Sequence, residues 1–406
     1  MRDHYVGLDI GTSMVRCVVG MVDQHDASKL SVIGHGSAPN MGMRKGTVTH
    51  LEDVADAVAR AVTEAERVSG VQIQAATVNV NGAHVEGINS RGVIAISTAN
   101  REITPEDRLR VEEAAAIVQL PPNREIIQVF AKNYRLDGQD NIKDPVGMQG
   151  VRLEVDTHIV AAATPSLRSL DVVLDKAHMH ASHHTVSALA AAEAVLNRQQ
   201  KESGTLVLDV GAGTTNVAVI EDGEVQHVAV IPVGSINITN DLAIGLRTDL
   251  EIAELVKIQH SNLDANKAKT GVLKVVYEGT TYEFAADDVH MITEARVEEL
   301  FELVDKELKK VHRSRKLPGG VVIVGGGSKL PGMASFAREK LQLAARTGTL
   351  QPLQGLVDTV QDVSYCTAVG LMVLDMLLVP SQHIAQGEPN SGFFGALEGL
   401  YKRIKR

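Results

Sequence analysis

Two segments place a carboxylate, glycines and hydroxyls directly after a short apolar run, 200 residues apart (209 − 9). The first contains Asp9, Gly11, Thr12 and Ser13. The second contains Asp209, Gly211, Ala212, Gly213, Thr214 and Thr215. Backbone N–H groups in glycine-rich turns bind phosphate, and magnesium prefers oxygen ligands such as these. One such segment could be an ordinary turn, but two facing turns can hold a phosphate chain from both sides.

The turns should be tight. Because only glycine adopts a positive φ without steric cost, Gly211 and Gly213 are predicted to use that conformation. A third glycine-rich segment follows the apolar run 321–324 and contains Gly325, Gly326, Gly327 and Ser328. Three glycines let a planar ring approach the backbone closely.

Strands must position each turn. Apolar and β-branched runs predict strands at 5–9, 15–22 and 30–33, and again at 205–209, 217–220 and 224–232. An amphipathic helix is expected at 49–69. A repeat on this scale predicts two similar α/β halves that face each other across a cleft.

Between the halves the pattern changes. A strand at 93–97, a helix at 104–118 and a strand at 126–136 predict a small α+β module inserted in the first half. Further helices are expected at 166–177, 187–195, 236–244, 250–258, 295–315 and 363–379. The residues of 187–195 are very small, which predicts a close helix contact between the halves near the hinge.

Composition excludes several classes. With 406 residues the chain is expected to form two or more domains, and its net charge of −10 argues against binding nucleic acid. Two cysteines without metal spacing fit a reducing cytoplasm, and neither a signal peptide nor a membrane span is predicted. The histidines at 178–184 have no ligand spacing and no neighbouring carboxylate, so structural roles are expected. Basic residues at 306–316 suit a helix C-terminus, or alternatively an acidic partner.

The C-terminus differs from the rest of the chain. Residues 381–391 are predicted to form a flexible linker before an amphipathic helix at 392–406. Its apolar residues, which fall within an arc of roughly 120°, are Phe393, Phe394, Leu397, Leu400, Tyr401 and Ile404. Its basic residues are Lys402, Arg403, Lys405 and Arg406. Against Glu398 these give a net +3, which predicts an interfacial helix on an anionic membrane.

These motifs, together with the segment 40–46, resemble the FtsA family of bacterial cell-division proteins, within the actin, heat-shock-chaperone and sugar-kinase ATPase superfamily. The resemblance implies an α/β actin-like ATPase fold with two duplicated halves around a nucleotide cleft. The implied first half is 1–82 and 159–200, with 83–158 as the inserted module. The implied second half is 201–240 and 317–380, with 241–316 as its smaller subdomain.

The resemblance also implies the site. ATP and magnesium are the expected cofactors, with Asp9 and Asp209 holding magnesium, mainly through water. The two turns would hold phosphates, and Gly234 would also contact the nucleotide. The segment 325–328 would lie against the base, with Glu254 and Lys257 near the ribose and base.

Expected partners follow from the same family. The tubulin-like division protein FtsZ would dock its tail on 241–316, and other division proteins would bind 83–158. Self-association into filaments is expected, on the cytoplasmic face of the inner membrane at the division site.

Two departures from the family pattern bear on activity. Met14 stands where many relatives carry lysine, with Arg16 two residues on. Ser187 and Ala188 stand where ATP-hydrolysing actins have glutamine or glutamate. We therefore expect ATP binding with slow or conditional hydrolysis and assign no catalytic residue. A small-molecule kinase or phosphatase of the superfamily, or a pilus-assembly relative, remains the alternative.

Overall fold

A computed structural model describes residues 4–22, 30–97, 100–118, 120–264 and 270–378. The first elements, in chain order, are β1 (Tyr5–Ile10), β2 (Met14–Val22), β3 (Leu30–Pro39), β4 (Met43–Arg44), β5 (Thr47–Val48), α1 (Leu51–Ser69) and β6 (Ala75–Val80). The inserted module comprises β7 (Glu86–Ala95), α2 (Pro105–Ala116), β8 (Arg124–Leu136), β9 (Gln139–Ile142) and β10 (Arg152–Ala163). The chain then returns through α3 (Thr164–Lys176), β11 (His180–Val186), α4 (Ser187–Val195) and α5 (Arg198–Ser203).

The second half repeats the opening pattern. Its elements are β12 (Thr205–Val210), β13 (Thr215–Glu221), β14 (Glu224–Ile231), α6 (Ser235–Leu246), α7 (Leu250–His260), β15 (Val272–Tyr277), β16 (Thr280–Ala285), α8 (Ala286–Lys310), β17 (Gly320–Val324), α9 (Met333–Leu341), β18 (Ala345–Thr347), β19 (Gln354–Gly355) and α10 (Cys366–Leu378). Short 3₁₀ turns lie at Gly326–Lys329 and Val363–Tyr365.

Two sheets with matching topology form the body. The first has the order β11-β6-β1-β2-β3-β19, and the second has the order β14-β13-β12-β17-β18. In each, three antiparallel strands are followed by a strand parallel to the first of them: β6 beside β1 and β17 beside β12. The predicted duplication is therefore confirmed.

Strand β3 is longer than the sequence pattern indicates, since it continues from Ile33 to Pro39. Its second part lacks large apolar side chains because α1 lies directly against its backbone. A Cβ on Gly36 would come 2.1 Å from the carbonyl oxygen of Ala61. The apolar pattern of β3 ends at Ile33 because the next positions include glycines instead of the bulky residues that usually indicate a strand.

The inserted module is a four-stranded antiparallel sheet, β7-β10-β8-β9, covered by α2. Helix α2 starts with a capping box in which Thr104 and Asp107 each accept the other's backbone N–H. Strand β7 covers Glu86–Ala95, whereas the prediction was 93–97. Its alternating, largely exposed residues explain the missed start.

Helix α4 of the first half and helix α10 near the end of the described chain each pack on the sheet of the other half. Helix α10 contacts β1, β2 and β6 of the first sheet, whereas α4 contacts β12 and β13 of the second. The two helices cross so closely that a Cβ on Gly370 would lie 1.8 Å from the carbonyl oxygen of Ala190. The small residues of α4 therefore do mark a close helix contact, as predicted. Helix α10 lies inside the segment 317–380, which was expected in the second half, but it covers the first sheet.

Between β14 and β17 lie α6, α7, the β15–β16 hairpin and α8. Helix α8 begins at Ala286, nine residues before the predicted start at 295, and ends at Lys310 rather than 315. Its first turn carries Asp287 and Asp288, the acids that favour a helix N-terminus. The basic side chains near its end are ion-paired, Lys309 with Asp305 and Lys310 with Glu307, each at 2.7 Å. This pairing favours the structural interpretation of the run 306–316.

Within the described ranges, none of the helices is both long and apolar enough to cross a membrane.

Candidate functional site

The two glycine turns close in the same way. The backbone N–H of Gly11 donates to the carbonyl oxygen of Met14 at 3.0 Å, and that of Gly211 donates to Thr214 at 2.9 Å. Gly211 and Gly213 do not adopt positive φ, so that prediction is wrong. Close approach is the actual reason for glycine, because a Cβ on Gly213 would lie 2.7 Å from Oγ1 of Thr12.

The turns therefore face each other across the junction of the halves. Thr12 of the first turn packs against Gly213 of the second. The Thr12 hydroxyl also accepts the backbone N–H of Gly46 at 3.2 Å. Asn40 fastens the first turn from behind, since its amide donates to the carbonyl oxygen of Gly11 at 2.8 Å. Asn40 and Gly46 thus belong to the site.

Asp9 is the penultimate residue of β1 and belongs to a buried polar network. The Asn79 amide donates to Oδ1 of Asp9 at 2.6 Å and to the Ser187 hydroxyl at 3.1 Å. The Ser187 hydroxyl in turn donates to Oδ1 of Asn81 at 2.8 Å. Sequence reasoning missed both asparagines, although they lie at the carboxyl end of β6, the strand equivalent to β17 before Gly325.

Asp209 is the penultimate residue of β12, in the equivalent position. The Thr367 hydroxyl, on α10, donates to Oδ2 of Asp209 at 3.1 Å. Gly325 has a φ of +82°, and a Cβ there would lie 2.4 Å from Oδ1 of Asp209. Glycine at 325 is therefore required both by the backbone conformation and by the carboxylate beside it.

Both carboxyl groups hold their protons unusually tightly. Burial raises the pKa of Asp9 to about 7, and the negative charge of Asp209 acts in the same direction. The charge of Arg16 and the hydrogen bond from Asn79 oppose this rise. Burial, against the Thr367 hydrogen bond and Arg16, raises the pKa of Asp209 to about 6. Two buried carboxylates that favour protonation form a site that gains by binding a cation.

Arg16 is the cation whose charge lowers the pKa of both carboxyl groups. Arg16 lies opposite Asp9 in the register of the β1–β2 strand pair. Its guanidinium carbon is 5.3 Å from the centre of the Tyr365 ring. Met14 lies at the start of β2, opposite Pro39. The structure thus places the positive charge at position 16, two residues after the position expected from the family pattern.

The remaining predicted residues surround the same cleft. Gly327 packs on Val210, and the Ser328 hydroxyl donates to the carbonyl oxygen of Gly325 at 2.8 Å. Gly326 is exposed, and no described atom lies within 4 Å of where its Cβ would be. The 325–328 turn therefore offers an open backbone surface. The Thr215 hydroxyl, in contrast, already donates to the carbonyl oxygen of Val233 at 2.8 Å.

Gly234 begins α6 against the second turn, since a Cβ on it would lie 2.5 Å from the carbonyl oxygen of Ala212. The Lys257 ammonium donates to the carbonyl oxygen of Ser235 at 3.3 Å and pairs with Glu254 at 2.6 Å. Glu254 and Lys257 thus lie next to Gly234 at the edge of the cleft. They also form the i,i+3 ion pair that the plain structural interpretation predicts.

Comparison with known proteins settles the family. A family profile described as "Cell division protein FtsA" matches residues 206–370, and one described as "SHS2 domain inserted in FTSA" matches 82–161. The cell division protein FtsA of Pseudomonas aeruginosa is 35% identical over 371 residues, covering 91% of this chain and 88% of that protein. The Bacillus subtilis relative is 36% identical over 373 residues, covering 91% and 82%. The chain belongs to the FtsA family.

The FtsA family assignment makes this chain an actin-like cell-division protein, and solved structures agree on the fold. A PilM–PilN type IV pilus biogenesis complex has a TM-score of 0.65 at 17% identity, covering 92% of this chain and 98% of that chain. MreB5 of Spiroplasma citri, solved with ADP, has a TM-score of 0.54 at 12% identity, covering 92% and 96%. The predicted actin-like α/β fold is confirmed.

Two other predictions concern residues away from the FtsA-family cleft. His180, His183 and His184 lie on β11, and Nε2 of His184 is 3.3 Å from Oδ1 of Asp171. A carboxylate does therefore neighbour one histidine, contrary to the sequence argument. No group of three metal-ligating side chains occurs in the described part of the chain. The linker 381–391 and the helix 392–406 lie outside the described residues.

Proposed function

We propose that the chain binds magnesium–ATP in the cleft between its halves and uses this to control assembly at the cytoplasmic membrane. The observation that supports this most directly is the pair of identically closed turns, at Gly11 and Gly211, which meet across the junction. Each follows a buried aspartate, so phosphate donors and cation ligands lie side by side.

The residues present fit these cofactors. Asn216 lies opposite Asp209, as Arg16 lies opposite Asp9, and its buried Oδ1 has no hydrogen-bond partner among the described residues. Buried polar atoms are normally paired, so an unpaired acceptor here suits a water of a bound magnesium ion. The pKa of both aspartates stays raised despite the charge of Arg16, so the two carboxyl groups would gain from the further positive charge of a magnesium ion.

Hydrolysis is expected to be slow. Ser187 begins α4 at the base of the cleft, where it is buried and bonded to Asn79 and Asn81. Its short hydroxyl has neither the reach nor the basicity to orient an attacking water. ATP would then act mainly by holding the halves together, with turnover conditional on assembly.

The membrane tether is assigned to residues 392–406, from their sequence pattern alone. A single short amphipathic helix is a weak anchor, so polymerisation should strengthen binding by bringing many helices to one surface. This places the protein, as a peripheral protein, on the inner face of the cytoplasmic membrane at the division site.

The partner assigned to the subdomain 241–316 is the tail of FtsZ. Six apolar side chains of this region are more than half exposed: Ile244, Leu250, Ile258, Val272, Val276 and Met291, at 78%, 53%, 67%, 61%, 62% and 62%. Exposed apolar residues grouped in one subdomain are typical of a protein contact. Other division proteins are assigned to the inserted module.

Cosedimentation tests these assignments together. Protein is mixed with anionic liposomes, with or without magnesium–ATP and a peptide of the FtsZ C-terminus. We expect ATP to increase the pelleted protein and the peptide to pellet with it. Phe394→Glu should abolish pelleting with liposomes, whereas Phe394→Leu, which keeps the apolar face, should retain it. Equal pelleting of both variants would contradict the tether, and no effect of ATP would contradict the nucleotide control.

A further inference from the structure

The turn between β4 and β5 contains a lysine in a conformation that lysine rarely adopts. Lys45 has a φ of +49°, and the next residue, Gly46, has a φ of +73°. Two consecutive left-handed residues form the type I′ turn of a tight hairpin, in which asparagine or aspartate normally precedes the glycine. A lysine there is strained, and such strain persists only where the surroundings enforce it, often at ligand-binding sites.

The surroundings of this turn do enforce it. The Gly46 backbone N–H donates to Thr12 in the first phosphate turn. A Cβ on Gly46 would lie 2.7 Å from the backbone nitrogen of Gly82, so the turn is wedged against the end of the first sheet. On its other side, Lys45 Cα lies 3.2 Å from where a Cβ on Gly213 would be. The strained lysine therefore lies where the two phosphate turns meet.

The charge of Lys45 is uncommitted, unlike that of Lys257, Lys329 and Arg16. Lys257 pairs with Glu254, and Lys329 pairs with Asp362 at 2.6 Å. Arg16 faces the two aspartates and thereby lowers the pKa of both. Lys45 is exposed and has no ion-pair partner in the described part of the chain. It is thus a cation beside the cleft that is available to an anion.

We propose that Lys45 binds the phosphate chain of the nucleotide, which is a role separate from that of Arg16. The inference rests on the proposed ATP binding and adds a residue to it. Arg16 interacts electrostatically with the buried carboxylates, and Met14 carries no charge. Lys45 therefore supplies the ammonium group that these positions leave missing, and the left-handed turn holds it at the junction of Thr12 and Gly213.

The test measures the dissociation constants of ATP, ADP and AMP, with magnesium, by equilibrium titration of the full chain. Lys45→Asn removes the charge and suits the left-handed turn, so the hairpin keeps its shape. Lys45→Arg keeps the charge. Arg44→Asn, which removes an exposed charge one residue away, is the matched control. Thermal unfolding midpoints establish that all variants fold equally well.

We expect Lys45→Asn to weaken ATP binding about tenfold or more, ADP less, and AMP least, because the lost attraction scales with phosphate charge. Lys45→Arg should bind within a few-fold of wild type, as should Arg44→Asn. Wild-type affinity of Lys45→Asn for ATP would overturn the inference, and so would equal weakening of all three nucleotides. A wild-type protein that binds none of them would overturn the proposed function itself, and this inference with it.

Discussion

Replacing His158 tests how the inserted module is held to the second half. His158, on β10, is fully buried, and its Nε2 accepts the backbone N–H of Val228 on β14 at 3.0 Å. Its Nδ1 therefore carries the proton and donates to Oδ1 of Asn89 at 2.9 Å. The ring also lies edge-on to His227, whose Nε2 is 3.0 Å from Glu307. One neutral imidazole thus joins the module to the second sheet.

Protonation of His158 is opposed from every side. Burial, then the ammonium of Lys132 on β8, then His227 on β14, lower the pKa of His158 to about 3. Its charged form would also direct a proton at the Val228 N–H. In the unfolded chain, a histidine binds a proton below its ordinary pKa of about 6.5. The free energy of unfolding therefore falls as pH decreases from about 6.5 towards 3, and this contribution is complete at higher pH.

The magnitude follows from that difference. The pH 5.0 condition lies roughly 1.5 units below the ordinary histidine pKa of about 6.5, and each unit corresponds to about 1.4 kcal/mol. His158 should therefore lower the free energy of unfolding by about 2 kcal/mol at pH 5.0. His158→Gln removes the titrating group but keeps a hydrogen-bond acceptor. At pH 7.5 this variant should be less stable than wild type by about 1–3 kcal/mol, because the buried Val228 N–H is less well paired.

Urea unfolding followed by circular dichroism at pH 7.5 and 5.0 measures the effect. Wild type should lose about 2 kcal/mol more than His158→Gln between the two pH values. His180→Gln, at an exposed position on β11, is the matched control and should behave as wild type. Groups common to all proteins cancel in the comparison. If His158→Gln and wild type lose the same stability, the buried neutral imidazole does not make the contact described here.

Two further predictions concern the helix exchange between the halves. Gly370→Val should lower the thermal unfolding midpoint by several degrees or abolish folding, because its Cβ would overlap the carbonyl oxygen of Ala190; an unchanged midpoint would contradict this helix crossing. Asp375→Asn should destabilise the protein by about 1–3 kcal/mol in urea, because the buried carboxylate accepts both the Val6 N–H and the Thr77 hydroxyl. A loss below about 0.5 kcal/mol would show that α10 does not need this carboxylate to hold the first sheet.

The sequence alone determined the parts of the site that depend on local chemistry. An apolar run, an aspartate and a glycine turn lie within a few residues of each other, so Asp9, Asp209 and the 325–328 turn could be predicted with their strands. The change of pattern also predicts an inserted α+β module, and the family profile described as an inserted SHS2 domain matches residues 82–161. Local patterns failed where glycine or exposed residues interrupted them, at the second part of β3 and the start of β7.

Tertiary structure decided which residues complete the site. Strand register, not sequence distance, places Arg16 opposite Asp9. Asn79 reaches Asp9 through a parallel strand pair, and Thr367 reaches Asp209 from a helix 158 residues away. The exchange of α4 and α10 between the sheets, and the position of Lys45 beside Gly213, likewise depend on contacts between distant segments. Sequence periodicity predicts which face of a helix or strand a residue lies on. Only the tertiary packing determines which residues contact that face.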